Sequence, residues 1–154
     1  MKAFEELKED LLTRAKNAGA CQKGYVMGLR SETKADLLKA ITENWFWVFR
    51  DTKIVDTEYL EDNFTEEELL QAGIYIRGIH EAKTSSFACG SATVKACGSA
   101  TVEAYDSATV KAYGNSYVED CIGNIRPQSD YAIVKDYYNH KIYIKKGKFE
   151  IIEV

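Results

Sequence analysis

Residues 87–118 read FACGSATV (87–94), KACGSATV (95–102), EAYDSATV (103–110) and KAYGNSYV (111–118), four consecutive octads. Ser-Ala-Thr-Val recurs three times at a spacing of eight, which marks an internal repeat. The phase persists further, because Cys121 falls in the column of Cys89, Cys97, Tyr105 and Tyr113. After a degenerate stretch holding Pro127, the run Ala132-Ile133-Val134-Lys135-Asp136-Tyr137 returns in register with Ala108 through Tyr113. The repeat region therefore extends from about Phe87 to Ile142, roughly seven octads.

An even period keeps every column of an extended chain on one face. One parity collects Ala88, Ala92, Val94, Ala96, Ala100, Val102, Ala104, Ala108, Val110, Ala112 and Val118; the other collects Ser91, Thr93, Lys95, Thr101, Glu103, Thr109 and Lys111. Small apolar set against polar predicts half-buried strands. The pairs Gly98-Ser99, Asp106-Ser107 and Gly114-Asn115 supply residues that tolerate positive φ, which is turn chemistry. Two architectures fit. A β-solenoid takes two octads per coil and stacks residues sixteen apart, giving the columns Cys89–Tyr105–Cys121 and Cys97–Tyr113. An antiparallel meander reverses at each turn and sets Cys89 against Cys97. An interior of alanine, serine and valine underfills a broad sandwich and suits a thin coil, which favours the solenoid.

The octad, read at Ala96 through Val102 and at Ala112-Tyr113-Gly114, resembles the repeat of bacterial ice-nucleation proteins, with its paired octads and tyrosine ladder. It is also similar to short repeat-bearing proteins of unassigned function from gut bacteria and their phages, in which a helical part precedes such octads. The resemblance covers a fifth to a third of the chain. It implies the solenoid more than a function. Ser91-x-Thr93, Ser99-x-Thr101 and Ser107-x-Thr109 match the ice-nucleation pattern, whereas the fourth octad offers Asn115 and Tyr117. Alternation of faces leaves at most two Ser-x-Thr rungs on each, so ice binding is the weaker implication.

The part before the repeats reads as helix. Phe4, Leu7, Leu11, Leu12 and Ala15 have helical spacing ahead of Gly19. Gln22–Leu29 predicts a second helix, and Ser31 caps a third running to about Phe49 through Leu37, Leu38, Ile41, Trp45 and Val48. Asp56 or Thr57 opens a short helix, and Thr65-Glu66-Glu67-Glu68 is a capping box closed off by Gly73. Ile74-Tyr75-Ile76 begins the β part. A solenoid has open ends, so the helical segment is expected to cap one, with Trp45 or Trp47 near the junction. Lys141–Lys145 and Lys148–Val154, joined at Lys146-Gly147, predict a closing β-hairpin. The expected class is α+β, with a helical domain at 1–73 and a solenoid with its hairpin at 74–154.

The chain has 154 residues, 45% of them hydrophobic and 29% charged, with one proline and a net charge of −4. This composition excludes a disordered or collagen-like protein, and four cysteines are too few for a disulfide framework. No global basic field points to direct nucleic-acid binding. The longest apolar run, Trp45–Phe49, is too short for a membrane span. Glu5, Glu6, Glu9 and Asp10 stand where a secretory signal needs apolar residues, so a soluble cytoplasmic protein is expected.

Candidate chemistry is sparse. His80 precedes the octads and His140 follows them, and neither has a carboxylate partner at fixed spacing. A β-helix acyltransferase would need such a partner, in a deep cleft. The cysteines form no C-x2-4-C pair, so no metal and no cofactor is expected. Asp56, Glu58, Glu61, Asp62, Glu66, Glu67 and Glu68 fall in one stretch without a base. They form a solvated helix face or, on the sharper reading, an acidic patch that imitates phosphates and occupies a basic nucleic-acid channel. Lys141, Lys145, Lys146 and Lys148 with Tyr137, Tyr138 and Tyr143 guard a hairpin edge or form a basic-aromatic surface. If the column of Tyr105, Tyr113, Tyr137 and the cysteines faces outward, it makes an apolar stripe on which two copies pair. The expected function is a non-enzymatic interaction or assembly module. Its partner would be a protein, such as a nucleic-acid-binding host protein inhibited by a phage or mobile element.

Overall fold

A computed structural model describes residues 1–154. The chain forms two compact units, Met1–Ala72 and Gly73–Val154.

The first unit is helical. Helices α1 (Phe4–Asn17) and α2 (Gln22–Arg30) match the sequence reading. Helix α3 (Lys34–Glu43) is capped by Thr33 rather than Ser31: Thr33 Oγ1 accepts from the Asp36 N–H, and the Asp36 carboxylate accepts from the Thr33 N–H. That reciprocal box satisfies two N–H groups, whereas Ser31 Oγ donates back to Met27 O at the end of α2. The single helix expected to reach Phe49 is instead interrupted at Asn44. Beyond it the chain winds as a π-helix, Phe46–Asp51. Apolar spacing runs through this break because Trp45 and Val48 remain buried on both sides of the change in winding.

Asp56 caps α4 (Thr57–Asn63), and the box Thr65/Glu68 opens α5 (Glu66–Gln71), both as read from the sequence. The fully buried side chains are large: Leu7, Leu37, Leu38, Trp45, Leu60 and Phe64. A polar cluster ties α1 to α4, where Asp10 accepts from the Tyr59 hydroxyl at 2.7 Å and pairs with Lys2 and Arg14. Burial alone would raise the Asp10 carboxyl, but the hydrogen bonds from Lys2 and Tyr59 and the Arg14 charge hold it below the ordinary range. Burial and the facing Asp10 carboxylate push the Tyr59 hydroxyl upward.

The second unit is a parallel β-solenoid of about four coils. Sheet A contains β1 (Ile74–Tyr75), β3 (Ser86–Ala88), β5 (Thr101–Ala104), β7 (Tyr117–Asp120), β8 (Ile133–Asp136) and β9 (Lys141–Tyr143). Sheet B contains β2 (Ile79–Ala82), β4 (Thr93–Ala96) and β6 (Thr109–Ala112). Val94 lies beside Val110, Val102 beside Val118 and Val118 beside Val134, so two octads make one coil. The meander is excluded by this register. Ala88, Ala92, Ala96, Ala100, Ala104 and the stacked valines fill an interior only two small side chains thick. In β4, β5 and β6 the outer residues are the polar parity, whereas Ile79, Phe87, Tyr117 and Ile133 take outer positions in β2, β3, β7 and β8.

One corner position takes a left-handed conformation in four successive octads, at Gly90, Gly98, Asp106 and Gly114. At Gly114 a Cβ would lie 2.9 Å from Gly98 O, because the coils stack backbone on backbone there. Asp106 tolerates the same φ of 55° and accepts from the Gly90 N–H of the preceding coil.

The solenoid begins before the legible octads. Ile74 pairs with Phe87 and Ile79 with Thr93, offsets shorter than sixteen, so the first coil is contracted. Its interior positions hold Tyr75 and His80, whose rings stack with centroids 4.5 Å apart where later coils hold alanine and valine. At the other end sheet B stops at β6. The degenerate stretch becomes a loop organised by the buried Asp120, which accepts from the N–H groups of Ile122, Gly123 and Ile125, each at 2.8 Å. The closing hairpin also differs from expectation. Strand β9 pairs antiparallel with β8 across a turn at residues 137–140, and residues 148–154 form no strand. The buried Asp136 builds that turn by accepting from the N–H and side-chain amide of Asn139, both at 2.8 Å. Arg126 lies over the Tyr143 ring at 3.7 Å.

Candidate functional site

Helices α4 and α5 separate the capping members of the acidic stretch from the rest. Asp56 and Glu68 are spent on capping, and Lys34 Nζ stands 3.9 Å from Glu68. On α4, Tyr59, Leu60 and Asn63 point inward, which leaves Glu58, Glu61 and Asp62 together on the opposite face at i, i+3 and i+4. Glu66 and Glu67 occupy the first turn of α5, where negative charge complements the helix dipole. Glu58, Asp62, Glu66 and Glu67 are exposed and form no ion pair; the Glu67 carboxylate accepts only from Gln71. The helical unit thus brings all five predicted acids to one pair of consecutive short helices.

The tyrosines predicted as partner contacts do not share one environment. Tyr105 and Tyr137 lie in one corner column with Cys89 and Cys121, and Tyr113 lies in the other with Cys97. Cys89 is fully buried and Tyr105 is 5% exposed, so the column is not the continuous outward stripe that pairing of two copies along it would use. Tyr105 donates to Glu103 Oε2 at 2.9 Å, Tyr137 donates to Glu119 at 3.2 Å, and Lys95 sits over the Tyr113 ring at 5.3 Å.

This column borders a group that sequence reasoning missed. Glu103 and Glu119 are direct neighbours on β5 and β7, on the outer side of sheet A. Burial pushes the Glu103 carboxyl up to about 7, the Tyr105 hydrogen bond opposes this, and the like charge of Glu119 adds to it. Tyr117 also donates to Glu119, at 3.4 Å, and burial with that carboxylate raises its hydroxyl to about 12. The signal was present, since residues sixteen apart stack and both carboxylates fall in the polar parity.

The remaining candidates are dispersed. His80 Nε2 lies 2.6 Å from Arg77 O and must carry its proton there, because a carbonyl only accepts. His140 sits in the β8–β9 turn with φ 56°. Neither meets a carboxylate. All four cysteines are free thiols, and no three histidine, cysteine or acidic side chains converge. Sheet B stacks Thr93 on Thr109, whereas sheet A sets Thr101 beside Tyr117, so no extended threonine array forms. Lys148 pairs with Asp130 at 3.0 Å and Lys141 lies exposed on β9. No helix is long and apolar enough to cross a membrane.

No protein-family model matches the chain, and no curated protein or solved structure does.

Proposed function

We propose that the chain is a non-enzymatic interaction module whose helical unit binds a basic, nucleic-acid-binding protein through Glu58, Glu61, Asp62, Glu66 and Glu67. The observation that carries this is the exposure of Glu58, Asp62, Glu66 and Glu67 without a cation beside them. Carboxylates on consecutive helices present a field that a phosphate-binding channel would also accept, and such a field speeds association. The octad resemblance to proteins of gut bacteria and phages makes inhibition of a host protein by a mobile element the fitting setting. The dispersed histidines support a binding role over acyl transfer.

The test is affinity capture with the full chain beside Glu58→Gln/Asp62→Asn/Glu66→Gln/Glu67→Gln, with helicity checked by circular dichroism. The proposal expects a basic partner whose binding weakens with salt and falls at least tenfold in the neutralised variant. Equal capture by the two folded proteins would overturn it.

A further inference from the structure

Helix α2 is unusual among the helices of the first unit, because it packs against α1 and α3 without burying any residue fully. It carries Gly24 and Gly28, one turn apart. Interior helix glycines each cost about 1 kcal/mol relative to alanine. Each backs onto a neighbour: a Cβ at Gly24 would lie 3.2 Å from Asn44 Oδ1, and one at Gly28 would lie 3.2 Å from Leu12 Cδ2. Beside this glycine face, the helices line an open-mouthed cavity of about 330 Å3 within the helical unit. Its wall is almost entirely apolar and includes Leu12, Ala40, Tyr25 and Trp47.

One polar group is set into that wall. Asn44 ends α3, and its Nδ2 donates to Ala40 O at 2.8 Å and approaches Met27 Sδ at 3.9 Å. The bond to a carbonyl fixes which side-chain atom is nitrogen. Oδ1 is thereby turned toward Gly24, with no protein donor upon it. The volume and the lining match a site for a small organic molecule. Sites for small organic molecules begin at about 300 Å3, are mostly apolar and fix orientation with a few polar atoms.

We propose that this cavity binds an apolar small molecule bearing one hydrogen-bond donor, which Asn44 Oδ1 accepts, with the Tyr25 and Trp47 rings in its wall. The site is independent of the acidic face.

The probes are 2-naphthol, which carries such a donor, and 2-methoxynaphthalene, which lacks it. Each is titrated against the full chain, following tryptophan fluorescence and backbone amide NMR shifts. The expected result is saturable 2-naphthol binding, with shifts centred on Gly24, Ala40, Asn44 and Trp47. The methoxy compound should bind about tenfold more weakly, the cost of one unmade hydrogen bond. Asn44→Ala should bring the two probes to equal affinity. Ala40→Phe, or Ala15→Met should that variant fail to fold, should abolish binding of both probes while leaving helicity intact. Absence of 2-naphthol binding to the wild-type chain, equal wild-type affinity for both probes, or binding unmoved by a folded filling variant would overturn the proposal.

Discussion

The helical unit buries the large side chains Leu37, Trp45, Leu60 and Phe64, whereas the solenoid buries alanine and valine repeated down columns. In the first region a residue's role depends on contacts that are distant in sequence and different for every side chain. In the second it depends chiefly on what lies sixteen positions away. This contrast bears on where we propose that recognition occurs. Columns of alanine and valine fill the coil interior, while the helix packing leaves a cavity beside Gly24 and Gly28. It also means that column position, more than residue type, should govern the effect of solenoid substitutions.

The strongest challenge to that rule is Asp120, which occupies the column of Ala88 and Ala104 yet carries the loop that replaces a sheet B strand. Asp120→Ala strands three N–H groups at about 1 kcal/mol or more each, so urea unfolding should show a loss of about 3 kcal/mol or more. Asp120→Asn retains one carbonyl oxygen and should lose less. Equal losses would mean the loop is not held by these bonds.

A pair of identical changes sharpens the comparison next. Gly114→Ala combines a left-handed backbone with a 2.9 Å overlap on Gly98 O, and should cost about 2–3 kcal/mol. Gly98→Ala has the same φ and open space, and should cost about 1 kcal/mol. Thermal melts giving equal costs would contradict stacking of these two corners.

Ser116 interrupts the column Ala100–Ser116–Ala132, and its buried hydroxyl has no partner. Ser116→Ala should stabilise the chain by about 1 kcal/mol in chemical denaturation, and a destabilised variant would break the column argument.

The remaining expected effect is electrostatic and depends on pH. Glu103 is raised to about 7 in the folded chain from an ordinary 4.5, so the native state holds the proton more tightly. Its contribution is complete below pH 4.5 and is lost as pH rises through about 7. Glu103→Gln should remove that part of the pH dependence, so the variant gains stability relative to wild type between about pH 5 and 8. Parallel pH profiles for the two proteins would exclude the stacked pair as its cause.

Legibility followed the same division. Phe87–Val118 showed the octad, the inward parity and the sixteen-residue coil, because identical residues recur where identical neighbours are needed. Of the first coil only the opening strand at Ile74 was legible; β2 was hidden by the coil's contraction and by Tyr75 and His80 in interior positions. The hairpin was misplaced because Asp136 and Asn139 make a turn whose bonds follow no repeat. Caps at Asp56 and Thr65 were readable locally, whereas the π-helix after Asn44 was masked by continuous apolar spacing. The acidic run was visible as composition and its caps at Asp56 and Glu68 as local motifs, but only the fold showed Glu58, Asp62, Glu66 and Glu67 exposed. The cavity rests on Gly24 meeting Asn44 across twenty residues, which no local pattern announces.

We propose that recognition belongs to the acidic face of α4 and α5, with the solenoid outside the contact. Zero-length carboxyl-to-amine crosslinking of the full chain with its captured partner, read by mass spectrometry, tests this most directly. The account predicts crosslinks from Glu58, Asp62, Glu66 and Glu67 to partner lysines. Crosslinks confined to Glu81, Asp130, Glu150 and Glu153 of the second unit would contradict it.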